Sequence, residues 1–182
     1  QYETVGSHTN SVSYAQQLGG FQWGIEANQN YFDGWSPGDA LIDGFSNFAA
    51  DSNRVTLWNP QLQRNARLHS QLTSGQWVFR PSVQLLTEQI DNRGAPRAPY
   101  GQTAFDNTYS TTRWIPTLQC RSFNDEGTVW NITQSWQRYS RTSGSYLTDL
   151  ETLHQTSLSD EQDTTRMSVW QSRGTRYLSW SE

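Results

Sequence analysis

Several common features are missing from this chain of 182 residues. It has no lysine, so its 13 basic residues are all arginines, and charged residues make up only 16% of the total. The arginines are scattered and the net charge is −4, which argues against a nucleic-acid partner, because such proteins carry a concentrated basic patch. No apolar run approaches the ~18 residues of a transmembrane helix. The sequence therefore predicts a protein with no membrane span and no nucleic-acid partner.

Cysteine is nearly absent as well. Cys120 is the single cysteine, so an internal disulfide is impossible. It alternates with Leu118 and Trp114, which is typical of a small buried side chain rather than of a nucleophile. No His/Cys group has zinc spacing, and no phosphate-binding or dinucleotide-binding motif is present. We therefore expect neither a metal nor a cofactor.

Aromatic residues are abundant instead: nine Trp, eight Tyr and seven Phe. Large aromatic side chains can build a core from few residues, and the chain is long enough to bury one. They occur in short segments that alternate with polar residues and end at glycine-containing turns, which is the pattern of half-buried β-strands. The sequence predicts one all-β domain over residues 1–182, an antiparallel sandwich or jelly-roll with long loops.

The stretch GTVWNITQSWQRYS, residues 127–140, shows this alternation most clearly. Trp130, Ile132 and Trp136 fall on one face of the predicted strand, and the polar residues fall on the other. We expect the tryptophan face to belong to a core and the polar face to meet solvent. The polar face carries Asn131, which begins the chain's single acceptor pattern for an N-linked glycan.

Turn chemistry predicts two tight hairpins, one joining residues 113–123 to 128–139 and one joining 165–171 to 175–181. Pro81 interrupts another strand, so that strand is expected at a sheet edge or at a bulge. Leucines spaced by three within residues 145–155 favour one short helix. Residues 28–52 and 91–112 are rich in Gly, Asp and Pro and are predicted to be long loops.

Several acidic side chains are candidates for catalytic or metal-binding groups. Three aspartates cluster in the first predicted loop, Asp33, Asp39 and Asp43, and we interpret them as turn-capping residues rather than as a calcium loop. A glycoside hydrolase would need two carboxylates facing each other, and the candidates are Glu26, Glu88 and Glu151. No pattern in the sequence brings two of them together, which argues against an enzyme.

The segments FRPSVQLLTEQID (79–91) and LQCRSFNDEGTVWNITQSWQRYS (118–140) resemble the H-type lectin domain. The residues that carry the resemblance are Pro81, Val83, Asp91, Phe123 and the pair Ser135-Trp136. It covers about a third of the chain, and Ser122-Phe123 stands where the family has Thr-Trp. The resemblance implies an antiparallel sandwich that trimerises and binds terminal sugars without catalysis. The residues implied near the sugar are Arg121, Phe123, Asn124 and Asp125.

These observations predict an extracellular, non-catalytic domain that recognises a glycan or glycoprotein receptor and forms a homo-oligomer. Exposed aromatics can stack on sugar rings, and the loop candidates are Trp35, Tyr100 and Tyr109. Three alternatives stay open: the receptor-binding spike of a non-enveloped virus capsid, a secreted polysaccharide hydrolase or lyase, and a structural subunit of a surface coat or filament.

Overall fold

A computed structural model describes residues 6–34, 54, 58–123, 129–158 and 162–177. These residues form eight β-strands and no helix, so the predicted all-β class is confirmed. The strands are β1 (Ser7–Leu18), β2 (Phe21–Phe32), β3 (Gln61–Ser74), β4 (Trp77–Pro96), β5 (Thr103–Phe123), β6 (Val129–Asp149), β7 (Gln155–Ser157) and β8 (Asp163–Tyr177).

The strands lie side by side in one antiparallel sheet in the order β1-β2-β3-β4-β5-β6-β7, and β8 also pairs with β6. β7 pairs with residues 146–148 of β6 and β8 with residues 129–143, so both occupy the same edge of β6. The predicted hairpin between residues 113–123 and 128–139 is confirmed, since Phe123 pairs with Val129. A second layer, which a sandwich requires, is not seen among the described residues.

Two prolines lie inside central strands, contrary to the expectation of an edge or a bulge at Pro81. β4 runs between β3 and β5, and Pro81 pairs with Leu118 of β5. On the β3 side, pairing stops at His69–Ser82 and resumes at Leu72–Phe79 in the same register. Pro116 leaves a similar gap between β5 and β6. Because proline has no N–H to donate, each ladder is interrupted locally without a shift of register.

Three other local predictions are wrong. The segment 91–112 belongs mostly to β4 and β5, and only residues 97–102 lie outside the two strands. Gly and Pro in that segment mark a bulge, seen as a register shift between Arg93 and Pro96. Residues 165–181 were expected to form a hairpin, but residues 163–177 pair continuously with the long strand β6. A long partner strand therefore overrides the turn signal of Ser-Arg-Gly.

The predicted helix at residues 145–155 is also absent. Residues up to Asp149 continue strand β6, and a turn follows, in which the Asp149 carboxylate accepts hydrogen bonds from the backbone N–H groups of Glu151 and Thr152. Such aspartate-capped turns compete directly with helix formation. Leu150 at this turn is fully buried, which explains one of the three leucines.

One buried ion pair fixes the isolated residue Arg54 against the sheet. Its Nη1 and Nη2 atoms donate to Asp106 at 2.6 and 3.1 Å, and the two side chains are 4% and 7% exposed. Thr148 and the backbone N–H of Gly94 also donate to Asp106, at 2.6 and 3.1 Å. Burial raises the pKa of Asp106, but the hydrogen bonds from Arg54 and Thr148 and the Arg54 charge outweigh it. The pKa therefore lies below the ordinary 3.8.

Candidate functional site

Residues that pair directly across the sheet share a face, so the strand registers define two faces. We call the face that contains Trp23 and Trp114 the apolar face, and the other the polar face. The predicted split of residues 129–140 is confirmed, with Trp130, Ile132 and Trp136 on the apolar face and Asn131 on the polar face.

The apolar face is uncovered within the described part of the chain. Of the 22 large hydrophobic residues that are exposed, 14 belong to it, whereas the fully buried hydrophobic residues of the described chain are Ala104 and Leu150. The expectation that the tryptophan face forms a core is therefore not met there. The 14 are Val12, Tyr14, Leu18, Phe21, Ile25, Tyr31, Leu68, Leu72, Trp77, Leu85, Trp114, Leu118, Trp130 and Trp170.

Four successive cross-strand rows make up the centre of this face, and Arg138 is their single charged residue. Two of the rows are almost wholly apolar. One runs Leu18, Phe21, Leu72, Phe79, Cys120, Ile132 and Gly174; another runs Tyr14, Ile25, Leu68, Val83, Pro116, Trp136 and Trp170. With strands ~4.8 Å apart and rows ~6.6 Å apart, four rows over seven strands cover about 900 Å². Six of the 28 positions in these rows are polar or charged, so the apolar part is about 700 Å². Exposed apolar patches on monomeric proteins rarely exceed about 600 Å².

Tryptophans form a raised ridge at the β5–β8 end of the apolar face. Trp114 and Trp136 meet edge to face with ring centroids 5.3 Å apart. Trp136 Nε1 donates to Ser168 Oγ at 2.6 Å, which fixes its indole ring. Trp170 pairs with Trp136 across the strands and is 69% exposed.

A shallow depression of about 470 Å³ lies on the same face at the β1–β4 end. Its floor is Ala27 and Ala66, which pair directly, and its walls include Val12 and Leu85. Two small side chains flanked by branched ones leave a hollow, and the next row of the face, Asn10, Gln29, Arg64 and Thr87, completes its lining. The face therefore carries a ridge and a hollow, separated by about three strand spacings.

A larger cavity of about 560 Å³ opens where Pro81 interrupts the β3–β4 ladder. Most of its lining comes from polar-face residues, including Arg67, Arg80, His69 and four glutamines, and a fifth glutamine, Gln16, reaches it from the apolar face. The His69 ring lies against Gly24, where a Cβ would approach the imidazole to 2.8 Å. His69 Nδ1 is buried without a hydrogen-bond partner and lies 3.9 Å from Glu26 Oε1.

A second cavity of about 120 Å³ continues across the polar face and shares Arg80 and Gln119 with the first. Arg121 and Asn131 line it, and these two residues pair directly. We call the two cavities together the polar furrow. Two residues singled out from the sequence, Arg121 for sugar contact and Asn131 for glycosylation, therefore lie at one end of the furrow.

The other predicted aromatic contacts do not converge on one site. Tyr109 lies within β5 rather than in a loop, and its ring is covered by the guanidinium of Arg141 at 4.8 Å. Phe123 is on the same face but 14 residues further along β5, a separation of about 46 Å. The Arg121 guanidinium lies 4.6 Å from the centre of its ring. Tyr100 is 77% exposed in the turn between β4 and β5.

Three predicted ligand-binding residues lie outside the described residues: Trp35, Asn124 and Asp125. The same is true of Asp39 and Asp43, whereas Asp33 follows β2. Among the described residues, no group of three His, Cys, Asp or Glu side chains is placed to hold a metal ion. The described ranges also contain no helix with the length and apolar character needed to cross a membrane.

The three candidate catalytic glutamates do not come together. Glu26 on β2 lies beside Arg67 and His69 of β3. Glu88 on β4 accepts a hydrogen bond from Gln61 at 2.6 Å. Two strand spacings and four residues separate Glu26 from Glu88, about 16 Å, which exceeds the ~5–10 Å of a glycosidase pair. Glu151 lies in the turn beyond β6. The described glutamates therefore form no hydrolase site.

A scan against family models and searches of curated proteins and of solved structures found no match. The resemblance to the H-type lectin domain accordingly stays a prediction. The two features that the sequence analysis missed are the hollow and the larger cavity. Alternation within each strand was enough to predict which of its residues share a face. The hollow and the larger cavity depend on the register between strands, which no single segment of the sequence determines.

Proposed function

We propose that this chain is a structural assembly domain whose apolar face is covered by a second copy of itself. This is the structural-subunit alternative of the sequence analysis, combined with its expectation of a homo-oligomer. The observation that carries the proposal is the uncovered apolar face, with 14 exposed large hydrophobic residues and almost no charge at its centre.

The area of the face matches what a stable dimer needs. About 900 Å² on each copy amounts to about 1,800 Å² in total, within the range of specific, stable interfaces. Charged residues are depleted at the centres of such interfaces and aromatic residues are enriched, which is also the composition of this face.

The shape of the face favours a second copy over an unrelated partner. A two-fold axis parallel to β4, the middle strand of the seven columns, exchanges the two ends of the face. It lays the ridge of Trp114, Trp136 and Trp170 over the hollow at Ala27 and Ala66 of the other copy, twice. A two-fold interface has to be self-complementary in this way. Two sheets packed ~10 Å apart also make a sandwich, the architecture predicted for a single chain.

Sedimentation velocity over a range of concentrations tests the proposal with two matched pairs of variants. Val12→Arg and Trp170→Arg place a charge at the hollow and on the ridge, and both positions are exposed, so the single sheet does not depend on them. Ser13→Arg and Gln171→Arg place the same charge on the polar face, one residue away.

We expect a concentration-dependent dimer for the unmodified chain and for the two polar-face variants. Both apolar-face variants should dissociate to monomer, because a charge buried without a partner is strongly unfavourable. A monomer at all concentrations would contradict the proposal and would favour a different protein as the partner of the apolar face. Equal dissociation of all four variants would contradict it too.

A further inference from the structure

The polar furrow is separate from the proposed dimer interface and has a chemistry of its own. Its entrance is on the polar face, which a face-to-face dimer leaves open. The larger cavity lies where the β3–β4 ladder is interrupted at Pro81, which has no N–H to donate to β3. The volume of about 560 Å³ is that of a small-molecule site.

We infer that the polar furrow binds a saccharide that bears a carboxylate, such as a uronic or sialic acid. This ligand class narrows the glycan expected from the sequence, but the inference rests on the furrow alone and does not depend on dimerisation.

Charge selects an anionic ligand. Arg67 and Arg80 line the larger cavity and Arg121 lines the smaller, whereas neither lining contains a carboxylate. Glu26, which is outside the lining, lies 4.0 Å from Arg67 and 3.9 Å from His69. Arg80 uses its Nε to donate to Gln71 at 2.8 Å, and this is its one hydrogen bond within the described part of the chain. Its two Nη groups therefore offer the planar pair of donors that matches a carboxylate.

The amides select a hydroxyl-rich ligand over a phosphate. Five glutamines line the larger cavity, and each amide has both a donor and an acceptor end. Sugar hydroxyls also donate and accept, so they satisfy both ends. A phosphate only accepts, so it would offer no donor to the glutamine carbonyls other than that of Gln71, which already accepts from Arg80.

The furrow also has the length for more than one sugar unit. It runs from the β2–β3 pair to Arg121 and Asn131 on the β5–β6 pair, with Arg80 and Gln119 shared between its two parts. That span crosses four strand spacings, about 19 Å. A glycan attached at Asn131 would border this end, so the test uses protein made in bacteria, where Asn131 stays unmodified.

Isothermal titration calorimetry tests the inference with oligogalacturonate and the same oligosaccharide methyl-esterified at every carboxyl group. Sialyllactose and lactose provide a second pair and distinguish a uronic from a sialic acid. We expect the free acid of one pair to bind at least about tenfold more tightly than its neutral counterpart, because charged hydrogen bonds are lost in the latter.

Arg80→Gln should weaken that binding by about 10- to 100-fold. The matched control is Arg166→Gln, the same change at an exposed position of β8 on the apolar face, and it should leave the affinity unchanged. Far-UV circular dichroism checks that both variants keep the sheet. Equal affinity for an acid and its neutral counterpart, or an affinity unchanged by Arg80→Gln, would overturn the inference. Tighter binding of a short RNA, or no binding of either acid, would overturn it too. The dimer proposal would be unaffected in each case.

Discussion

Substitution of Asp106 by asparagine should remove a large part of the stability of the described sheet. The carboxylate accepts two hydrogen bonds from Arg54, one from Thr148 and one from the Gly94 backbone. Asparagine keeps the shape but removes the charge, so the Arg54 guanidinium, only 4% exposed, loses the negative charge that Asp106 supplies. Breaking one partner of a buried ion pair costs about 3–5 kcal/mol. The free energy of unfolding of a whole protein is about 5–15 kcal/mol, so a loss of this size should be readily measurable.

Urea unfolding at fixed protein concentration measures this loss, since any dimerisation makes stability depend on concentration. Asp163→Asn is the matched control, because Asp163 is exposed at the start of β8 and its loss should change stability by no more than about 0.5 kcal/mol. Equal unfolding midpoints for the two variants would refute the structural role given to Asp106.

The pH dependence of unfolding is a second test of the ion pair between Arg54 and Asp106. The pKa of Asp106 is lower in the folded chain than its ordinary 3.8, so the unfolded state binds a proton more readily. The contribution of Asp106 is therefore fully present above about pH 4 and is lost as the pH falls through the folded-state pKa. Asp106→Asn should lack this acid-dependent component, and an unchanged acid profile would contradict the assignment.

Two further predictions concern single positions. Gly94→Ala should destabilise the chain by about 1–3 kcal/mol, because the added Cβ would collide with the carbonyl oxygen of Phe105. At Gly174 the added Cβ would meet open space, so Gly174→Ala should stabilise strand β8 by about 0.5–1 kcal/mol. Thermal unfolding compares the two, and equal shifts would contradict the close approach. Expression in a secretory eukaryotic host should add one glycan at the exposed Asn131, lost in Thr133→Ala; an intact-mass measurement without that difference would contradict it.

The sequence predicted the strands and their faces where alternation was regular. Residues 113–123 and 128–139 pair as expected, and Trp130 and Asn131 fall on opposite faces. Alternation is a property of one strand, so it survives whatever the neighbours do. The absence of a second layer among the described residues was not predictable, because exposed and buried apolar faces have the same pattern.

The wrong predictions at Pro81 and at residues 165–181 share one physical cause, which is that long neighbouring strands override local signals. Pro81 stays in a central strand because β5 pairs with it on one side, and Gly174 stays extended because β6 continues beside it. Cross-strand registers of this length are set by the whole sheet. The polar furrow could not be predicted for the same reason. Arg80 and Arg121 are 41 residues apart in sequence, and only pairing between β4 and β5 brings them to one cavity.

The central claim, that a second copy covers the apolar face, is tested most directly by the reactivity of Cys120. This single thiol lies on the apolar face, in the row that contains Phe79 and Ile132. Its rate of modification by a thiol reagent should fall as the protein concentration rises through the dimer range. Trp170→Arg should restore the fast rate at every concentration. A dimer in which Cys120 reacts as fast as in the dilute monomer would show that the copies associate through another surface, and would contradict the account.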